Sequence, residues 1–253
     1  MAGALRQKMA ALQRAMRDRE SLLIAFSGGV DSGLVCKLAV DILGSRALAV
    51  TAQAESLPDR EFQAARRFAA EMGIRHRIVR YSELANEAYV ENSTNRCYFC
   101  RQDLGRALWP VAEEEGIDAI ADGVLLSDLG PWRPGIRALD EAGFWHPLVD
   151  QEIDKTQVRR LAAELGLSFH DKPSMACLSS RIPHGQVVTL EKLQRVERAE
   201  EMLYDLGFRQ VRVRHHGDVA RVEVARDEVG RVGEDGLRSR VARELRGLGY
   251  VRV

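Results

Sequence analysis

The sequence predicts an α/β protein: a doubly wound, mostly parallel sheet followed by a smaller C-terminal α+β domain. Three observations carry this. Short apolar runs alternate with helix-period stretches from about residue 20 to residue 170, the order that builds a parallel sheet covered by helices. The first of these runs passes through a Gly-rich turn, Ser27-Gly28-Gly29-Val30-Asp31-Ser32, straight into a helix. After Thr189 the order becomes helix, strand, strand, helix, strand, which no longer reads as strand–helix–strand crossovers. The division expected is therefore 1–170 for the sheet domain, 171–188 for a connecting loop and 189–253 for the small domain.

In chain order, residues 3–20 read as an amphipathic helix. Leu22-Leu23-Ile24-Ala25-Phe26 is a buried strand, and Gly33 to Leu43 a helix ended by Gly44. Ala47 to Ala52 is the second strand, and Ala52 stands where a doubly wound sheet meets a nucleotide. Pro58 to Gly73 is a helix with Phe62, Ala65, Phe68, Ala69 and Met72 on one stripe. His76 to Val79 is a third strand and Ser82 to Val90 a short helix. Asn95-Arg96-Cys97-Tyr98-Phe99-Cys100 precedes a helix from about Gln102 to Glu115. Ile117 to Ala121 is a fourth strand running into Asp122-Gly123, and a Gly/Pro-rich loop carries Asp128 and Arg133-Pro134-Gly135. Trp145 to Leu148 reads as a last short strand, and Lys155 to Leu165 as a helix closed by Gly166. The stretch 171–185 has two prolines and several small residues, so it reads as loop. In the small domain, helices span Leu190 to Leu206 and roughly Glu234 to Leu248. Strands span Gln210 to His215, Val219 to Ala225 and Tyr250 to Val253.

The 253 residues carry 37 Lys+Arg and 37 Asp+Glu, a net charge of zero. A nucleic-acid partner usually draws a basic surplus, so this balance argues against one. No apolar run approaches the roughly 20 residues of a membrane span, and the charged, helix-patterned N-terminus does not read as a signal peptide. A cytoplasmic protein is expected. Four cysteines there point to ligation or catalysis rather than to disulfides.

The Gly-rich turn has the geometry of an anion site. Gly28 and Gly29 let backbone come close, the helix N-terminus presents N–H groups and a favourable dipole, and Ser27 and Ser32 add hydroxyls. The Walker spacing and its lysine are missing, and so is the dinucleotide GxGxxG. Strand–SGGxDS–helix resembles the pyrophosphate loop of the ATP-pyrophosphatase superfamily, the adenine nucleotide alpha hydrolase-like fold. Cys36 falls in an apolar helix stripe and reads as core. Cys97 and Cys100 form CxxC at a helix start, a pattern shared by structural zinc, redox pairs and iron–sulfur clusters. With Cys177 they make three thiols, enough for a four-iron cluster with one iron open; a Cys₃His zinc site with His184 or His170 is the other reading. Cys177, with Arg181 four residues on, also suits a nucleophile. Arg212 and Arg214 alternate with Val211 and Val213, so both face one side of a strand and suit a phosphate or carboxylates.

Taken together, SGGVDS at 27–32, RCYFC at 96–100, DG at 122–123 with RPG at 133–135, KPSMACLSSRIPHG at 172–185 and VRVRHHGDVARVEV at 211–224 resemble the ATP-dependent sacrificial sulfur transferases, the LarE family. The resemblance runs over nearly the whole chain, and the CLSSRIPxG loop is its specific part. It implies ATP- and Mg²⁺-dependent adenylation of a nicotinate-derived substrate, pyridinium-3,5-biscarboxylic acid mononucleotide, with release of pyrophosphate. Sulfur then displaces AMP to give a thiocarboxylate, at both carboxylates, in the making of the nickel-pincer nucleotide cofactor. It further implies Ser27 to Ser32, with Ala52 and Gly123, at the ATP. Ser180, Arg181, Arg212 and Arg214 would meet the substrate, Glu200 would help hold a metal, and the protein would be a homo-oligomer. In one branch of the family a cysteine at the Cys177 position gives up its own sulfur. In the other, three cysteines hold a [4Fe-4S] cluster whose open iron carries a sulfide replenished from sulfide or a sulfur donor; Cys97, Cys100 and Cys177 match that branch. Two departures stand out: Leu125 occupies the position of an Asn in the relatives' DGxN, and a further segment is expected after Val253. Three other readings remain: a tRNA thiolase sharing the loop and cysteines, an amidating synthetase with no use for Cys177, and a nucleotide-binding carrier module without turnover.

Overall fold

A computed structural model describes residues 2–128 and 133–253. The chain forms two compact units, Met1–Glu83 with Asn95–Met175, and Leu84–Thr94 with Ala176–Val253. The first unit runs to Met175, whereas the sheet domain was expected to end at residue 170. The excursion 84–94 belongs to the second unit, which the sequence did not reveal.

In the first unit, helix α1 (Ala2–Arg17) buries Leu5, Leu12 and Met16, one stripe at helical spacing. Strand β1 (Leu22–Ala25), helix α2 (Val30–Leu43), strand β2 (Ala47–Gln53), helix α3 (Asp59–Met72) and strand β3 (Arg75–Arg80) follow. All strand pairs are parallel, in the order β3-β2-β1-β4, where β4 is only Ile120–Ala121. Alternation along β1 and β2 divides the core in two. Leu22, Ile24, Ala47 and Ala49 face one cluster, with residues from α1, α2 and the later helix Lys155–Glu164; Leu23, Leu48 and Val50 face the other. A sheet covered on both faces needs strands apolar throughout, which is why β1 reads as an unbroken apolar run.

Further along the chain, α4 (Glu87–Val90) lies in the second unit, and α5 (Arg96–Glu114), α6 (Pro134–Glu141), α7 (Pro147–Asp150) and α8 (Lys155–Glu164) in the first. Several expectations change here. The expected helix at 82–90 is a 3₁₀ turn, Glu83–Ala85, and then α4, which Asn86 caps by accepting from the Ala88 N–H at 3.1 Å. Helix α5 begins at Arg96, so the CxxC lies inside its first turns rather than before it. The strand expected at 145–148 reduces to a single bridge, Trp145 to Ala121, because Pro147 opens α7. Part of the expected loop around Arg133, residues 129–132, lies outside the described residues.

The second unit packs α9 (Leu190–Asp205) and α11 (Asp235–Gly247) against the antiparallel pair β5 (Val211–His216) and β6 (Val219–Val224), with the short α10 (Val229–Val232) between. Ala199, Leu203, Val211, Val213, Val241 and Leu245 share its core. The last expected strand is a single parallel bridge, Arg252 to Val219. Asn92 fastens the 84–94 excursion to the rest of the unit. It is fully buried at φ 55°, and its Nδ2 donates to the Pro183 and Gln186 carbonyls at 2.8 and 2.9 Å.

Candidate active site

The first unit builds the nucleotide loop. Gly28 adopts φ +73° with Ala65 of α3 so near that a Cβ would lie 3.0 Å from the Ala65 methyl. No other residue takes that φ beside that neighbour without strain. Gly29 caps α2 with no side-chain bond, so the first-turn N–H groups stay available to an anion. The hydroxyls of Ser27 and Ser32 lie 3.3 Å apart, and Ser32 donates to the Gly29 carbonyl at 3.4 Å. Both serines thus stay within the loop formed by Val30, Asp31 and their neighbours.

Two lysines from outside the loop reach it, one of them the first residue of the 172–185 motif. Lys155, at the start of α8, sets its Nζ 2.6 and 2.7 Å from the two Asp31 oxygens. Lys172 donates to the Gly28 carbonyl at 2.9 Å and pairs with Glu61 of α3 at 2.8 Å, over the Phe68 ring. The loop that lacks a Walker lysine is thus flanked by cations from 124 and 144 residues away in sequence.

Gly123 follows β4 and packs on the start of α2. A Cβ there would come within 2.8 Å of the Asp31 carbonyl carbon and the Ser32 Cα, and closer still to the Ser32 nitrogen. Beside it, the Asp122 Oδ1 accepts from the Val124 N–H and from His146 Nδ1, both at 2.9 Å, and His146 Nε2 reaches Asp140 at 3.1 Å. Asp122 Oδ2 is buried with no hydrogen-bond partner among the described residues. Burial alone would lower the His146 pKa, but the bonds and charges of Asp122 and Asp140 outweigh it and hold the imidazole above its ordinary value. Leu125, at the position of the relatives' Asn, is buried in the core, so no side-chain amide stands there. Ala52 is half-buried at the carboxyl end of β2, beside Thr51, whose hydroxyl donates to the Phe26 carbonyl at 2.8 Å.

Cys36 is fully buried, and desolvation pushes its thiol well above the ordinary value. Cys97 is exposed and Cys100 half-buried; three residues apart in a helix, they share a face. Cys100 Sγ donates to the buried Glu83 carboxylate at 3.0 Å. Gly135 lets the start of α6 come against Cys97, since a Cβ would lie 3.2 Å from the Cys97 carbonyl.

The second unit holds Cys177, Ser180, Arg181, Glu200, Arg212 and Arg214. Arg212 and Arg214 are half-buried on one face of β5, while Val211, Val213 and His215 fill the other. Arg214 reaches Glu223 at 3.0 Å and the Ser180 carbonyl at 3.2 Å. The Arg181 guanidinium, expected to meet substrate, is instead wholly enclosed. It forks onto both oxygens of Glu200 at 2.8 and 3.0 Å, and Glu200 also accepts from the Val213 N–H at 2.9 Å. Glu200, expected at a metal, thus has its carboxylate engaged by protein groups. His184, the alternative fourth ligand, has its Nδ1 3.2 Å from the Asn92 carbonyl. Among the described residues no group of three or more His, Cys, Asp or Glu is gathered to hold a metal ion.

A parallel sheet whose first strand turns through SGGVDS into a Gly-capped helix, closed by a glycine after the neighbouring strand, defines the nucleotide-binding fold of the pyrophosphate-loop enzymes. The comparisons agree. The asparagine synthase family matches residues 5–94. The structure of an NMN synthetase from Francisella tularensis superposes with a TM-score of 0.57 at 19% identity, over 75% of this chain and 84% of that one, a likeness of fold. In sequence the chain is 41% identical to an uncharacterised Synechocystis protein, over 98% of this chain and 93% of the relative. It is 36% identical to the pyridinium-3,5-bisthiocarboxylic acid mononucleotide synthase of Lactiplantibacillus plantarum, over 97% of this chain and 89% of that enzyme. The chain belongs to the pyridinium-3,5-bisthiocarboxylic acid mononucleotide synthase family. Among the described residues no helix is long and apolar enough to cross a membrane.

Proposed function

We propose that this protein uses ATP and Mg²⁺ to insert sulfur into pyridinium-3,5-biscarboxylic acid mononucleotide, giving the bisthiocarboxylic acid for the nickel-pincer cofactor. The observation that supports it most is the open, Gly-capped start of α2 behind SGGVDS, in a chain that matches the synthase over nearly its whole length. A carboxylate is a poor electrophile. Its oxygen attacks the α-phosphorus of ATP, the bond to the β-phosphate breaks, and AMP becomes a leaving group on carbon. The N–H groups at the start of α2 hold the departing pyrophosphate, while Lys155 and Lys172, paired with Asp31 and Glu61, brace the loop around them. Arg212 and Arg214, two guanidinia on one strand face, suit the substrate's phosphate.

Sulfur delivery is assigned to Cys97, Cys100 and Cys177, the three cysteines outside the core. Their donor chemistry suits a [4Fe-4S] cluster with one iron left open, which when bound would supply a transferable sulfide. In a second reading Cys177, a free thiol in the second unit, surrenders its own sulfur. Intact mass after one turnover, on anaerobically purified protein with ATP and the biscarboxylic substrate, separates them. An unchanged chain alongside thiocarboxylate supports the cluster. A chain lighter by H₂S means Cys177 is consumed. Absence of substrate-dependent pyrophosphate release would sink the adenylation chemistry altogether.

A further inference from the structure

Arg181 heads the largest fully buried side chains among the described residues, and protein groups inside the second unit surround its guanidinium. Nε and Nη2 bond the two oxygens of Glu200. Nη1 donates to the carbonyl of Ala176 at 2.7 Å, to the carbonyl of Cys177 at 3.1 Å and to the Ser180 hydroxyl at 3.0 Å. Glu200 stands on α9 and also accepts from Val213 of β5. One buried cation therefore ties a helix and a strand to the two carbonyls that bracket the Cys177 side chain. Cys177 itself is extended, at φ −61° and ψ 152°, as the residue before the 3₁₀ turn Leu178–Arg181. Its carbonyl receives the Ser180 N–H at 3.0 Å as well.

Burying an ion pair is a costly way to fill a core, because desolvation cancels much of the attraction and apolar side chains of similar volume often do as well. What apolar side chains cannot do is donate hydrogen bonds to two consecutive carbonyls. We propose that Arg181, braced by Glu200, is the positioning residue for Cys177: it fixes the backbone from which the thiol is presented, and touches neither nucleotide nor substrate. This rests on the reading of Cys177 as a sulfur-handling residue. Loss of the brace should impair sulfur transfer and spare adenylation, whose loop belongs to the other unit.

The test uses the full chain and two variants. The paired change Arg181→Met with Glu200→Leu removes both charges together and keeps volume, so the core can close. Arg181→Lys keeps a charge against Glu200 but lacks the planar fork. For each variant, melting temperature, pyrophosphate release, thiocarboxylate formed per pyrophosphate, and iodoacetamide labelling of Cys177 mapped by mass are measured. The expected result is near-normal pyrophosphate release, a fall of about 100-fold in thiocarboxylate per pyrophosphate, the loss that small misplacement of a reacting group brings, and faster labelling of Cys177. A general folding defect would lower both half-reactions together. A folded variant with unchanged thiocarboxylate yield and unchanged Cys177 labelling overturns the proposal. If the wild-type protein itself releases no pyrophosphate, the proposed function fails, while the labelling arm still decides the role of Arg181.

Discussion

Replacing Gly123 by alanine tests how the nucleotide loop is held. The added Cβ would stand 2.8 Å from two backbone carbons of Asp31 and Ser32, and nearer to the Ser32 nitrogen, where ordinary contact begins at 3.4 Å. These neighbours are main chain at the start of α2, so no rotamer change relieves the clash. Either the end of β4 or the start of α2 must retreat by more than half an ångström. Overpacking of this kind costs about 1–3 kcal/mol. The same retreat moves the N–H groups aimed at pyrophosphate, and misplacement on the order of 1 Å costs about 100-fold in rate. The assays are thermal unfolding and pyrophosphate release against ATP concentration. Gly236→Ala, in α11 with nothing within 4 Å of its Cβ, serves as control and should be neutral or slightly stabilising. A Gly123→Ala protein with unchanged melting temperature and unchanged ATP dependence would refute the crowding argument and make Gly123 an ordinary loop residue.

Lys172→Met strands the nearly buried Glu61 carboxylate and frees the Gly28 carbonyl; urea titration should show a loss of about 1–3 kcal/mol and kinetics a raised KM for ATP, whereas wild-type stability would mean Glu61 finds another cation. His146 has a raised pKa, so its bonds to Asp122 and Asp140 contribute stability that is fully present below about pH 6.5 and is lost as pH rises through the raised value. Asp140→Asn should therefore be less stable than wild type at low pH, by under about 1 kcal/mol because Asp140 is largely exposed, with the gap closing on the alkaline side; a gap that widens with pH would contradict the assignment. In folded, cluster-free protein iodoacetamide should label Cys97, Cys100 and Cys177 and reach Cys36 only in denaturant, since burial keeps that thiol protonated and covered; labelling of Cys36 without denaturant would count against the packing of α2.

What the sequence revealed was local. The apolar run of β1, the Gly-rich turn and the helix after it are neighbours along the chain, so their pattern already contains their geometry. The alternating valines of β5 likewise announce which face carries Arg212 and Arg214. Errors arose where a distant contact overrides a local preference. The run from Trp145 to Leu148 is aromatic and apolar, yet Pro147 starts a helix and Trp145 alone of the run forms a β-bridge to the sheet. The first turns of α5 follow Asn95, a residue type that often caps helices, yet they receive no side-chain cap from it. They are packed from outside instead: Arg137 of α6 lies over the Tyr98 ring, and Tyr98 bonds Glu141 at 2.5 Å. The 84–94 excursion joins its unit through Asn92, about 90 residues from the carbonyls it holds, a distance at which no periodicity survives.

The site shows the same division more sharply. A side chain's type states what chemistry it can satisfy, not which partner it will find. Lys155 looks in sequence like an ordinary surface lysine, and the 172–185 motif does not say what Lys172 meets, yet each ends on the nucleotide loop. Arg181 is the converse case. Its planar fork suits a carboxylate or a phosphate equally, and the family resemblance implies that it meets the phosphate or carboxylates of a substrate. The carboxylate it meets belongs to Glu200, 19 residues away on a helix whose stripe reads as core. The sequence does contain a hint. Glu200 falls beside Ala199 and three residues before Leu203, on the buried side of α9, and a carboxylate on the apolar side of a helix must find a cation or lose its charge. Which cation it finds is not written locally: Arg195, Arg198, Arg209, Arg212 and Arg214 all stand nearer to Glu200 along the chain, and only the fold brings Arg181 to it.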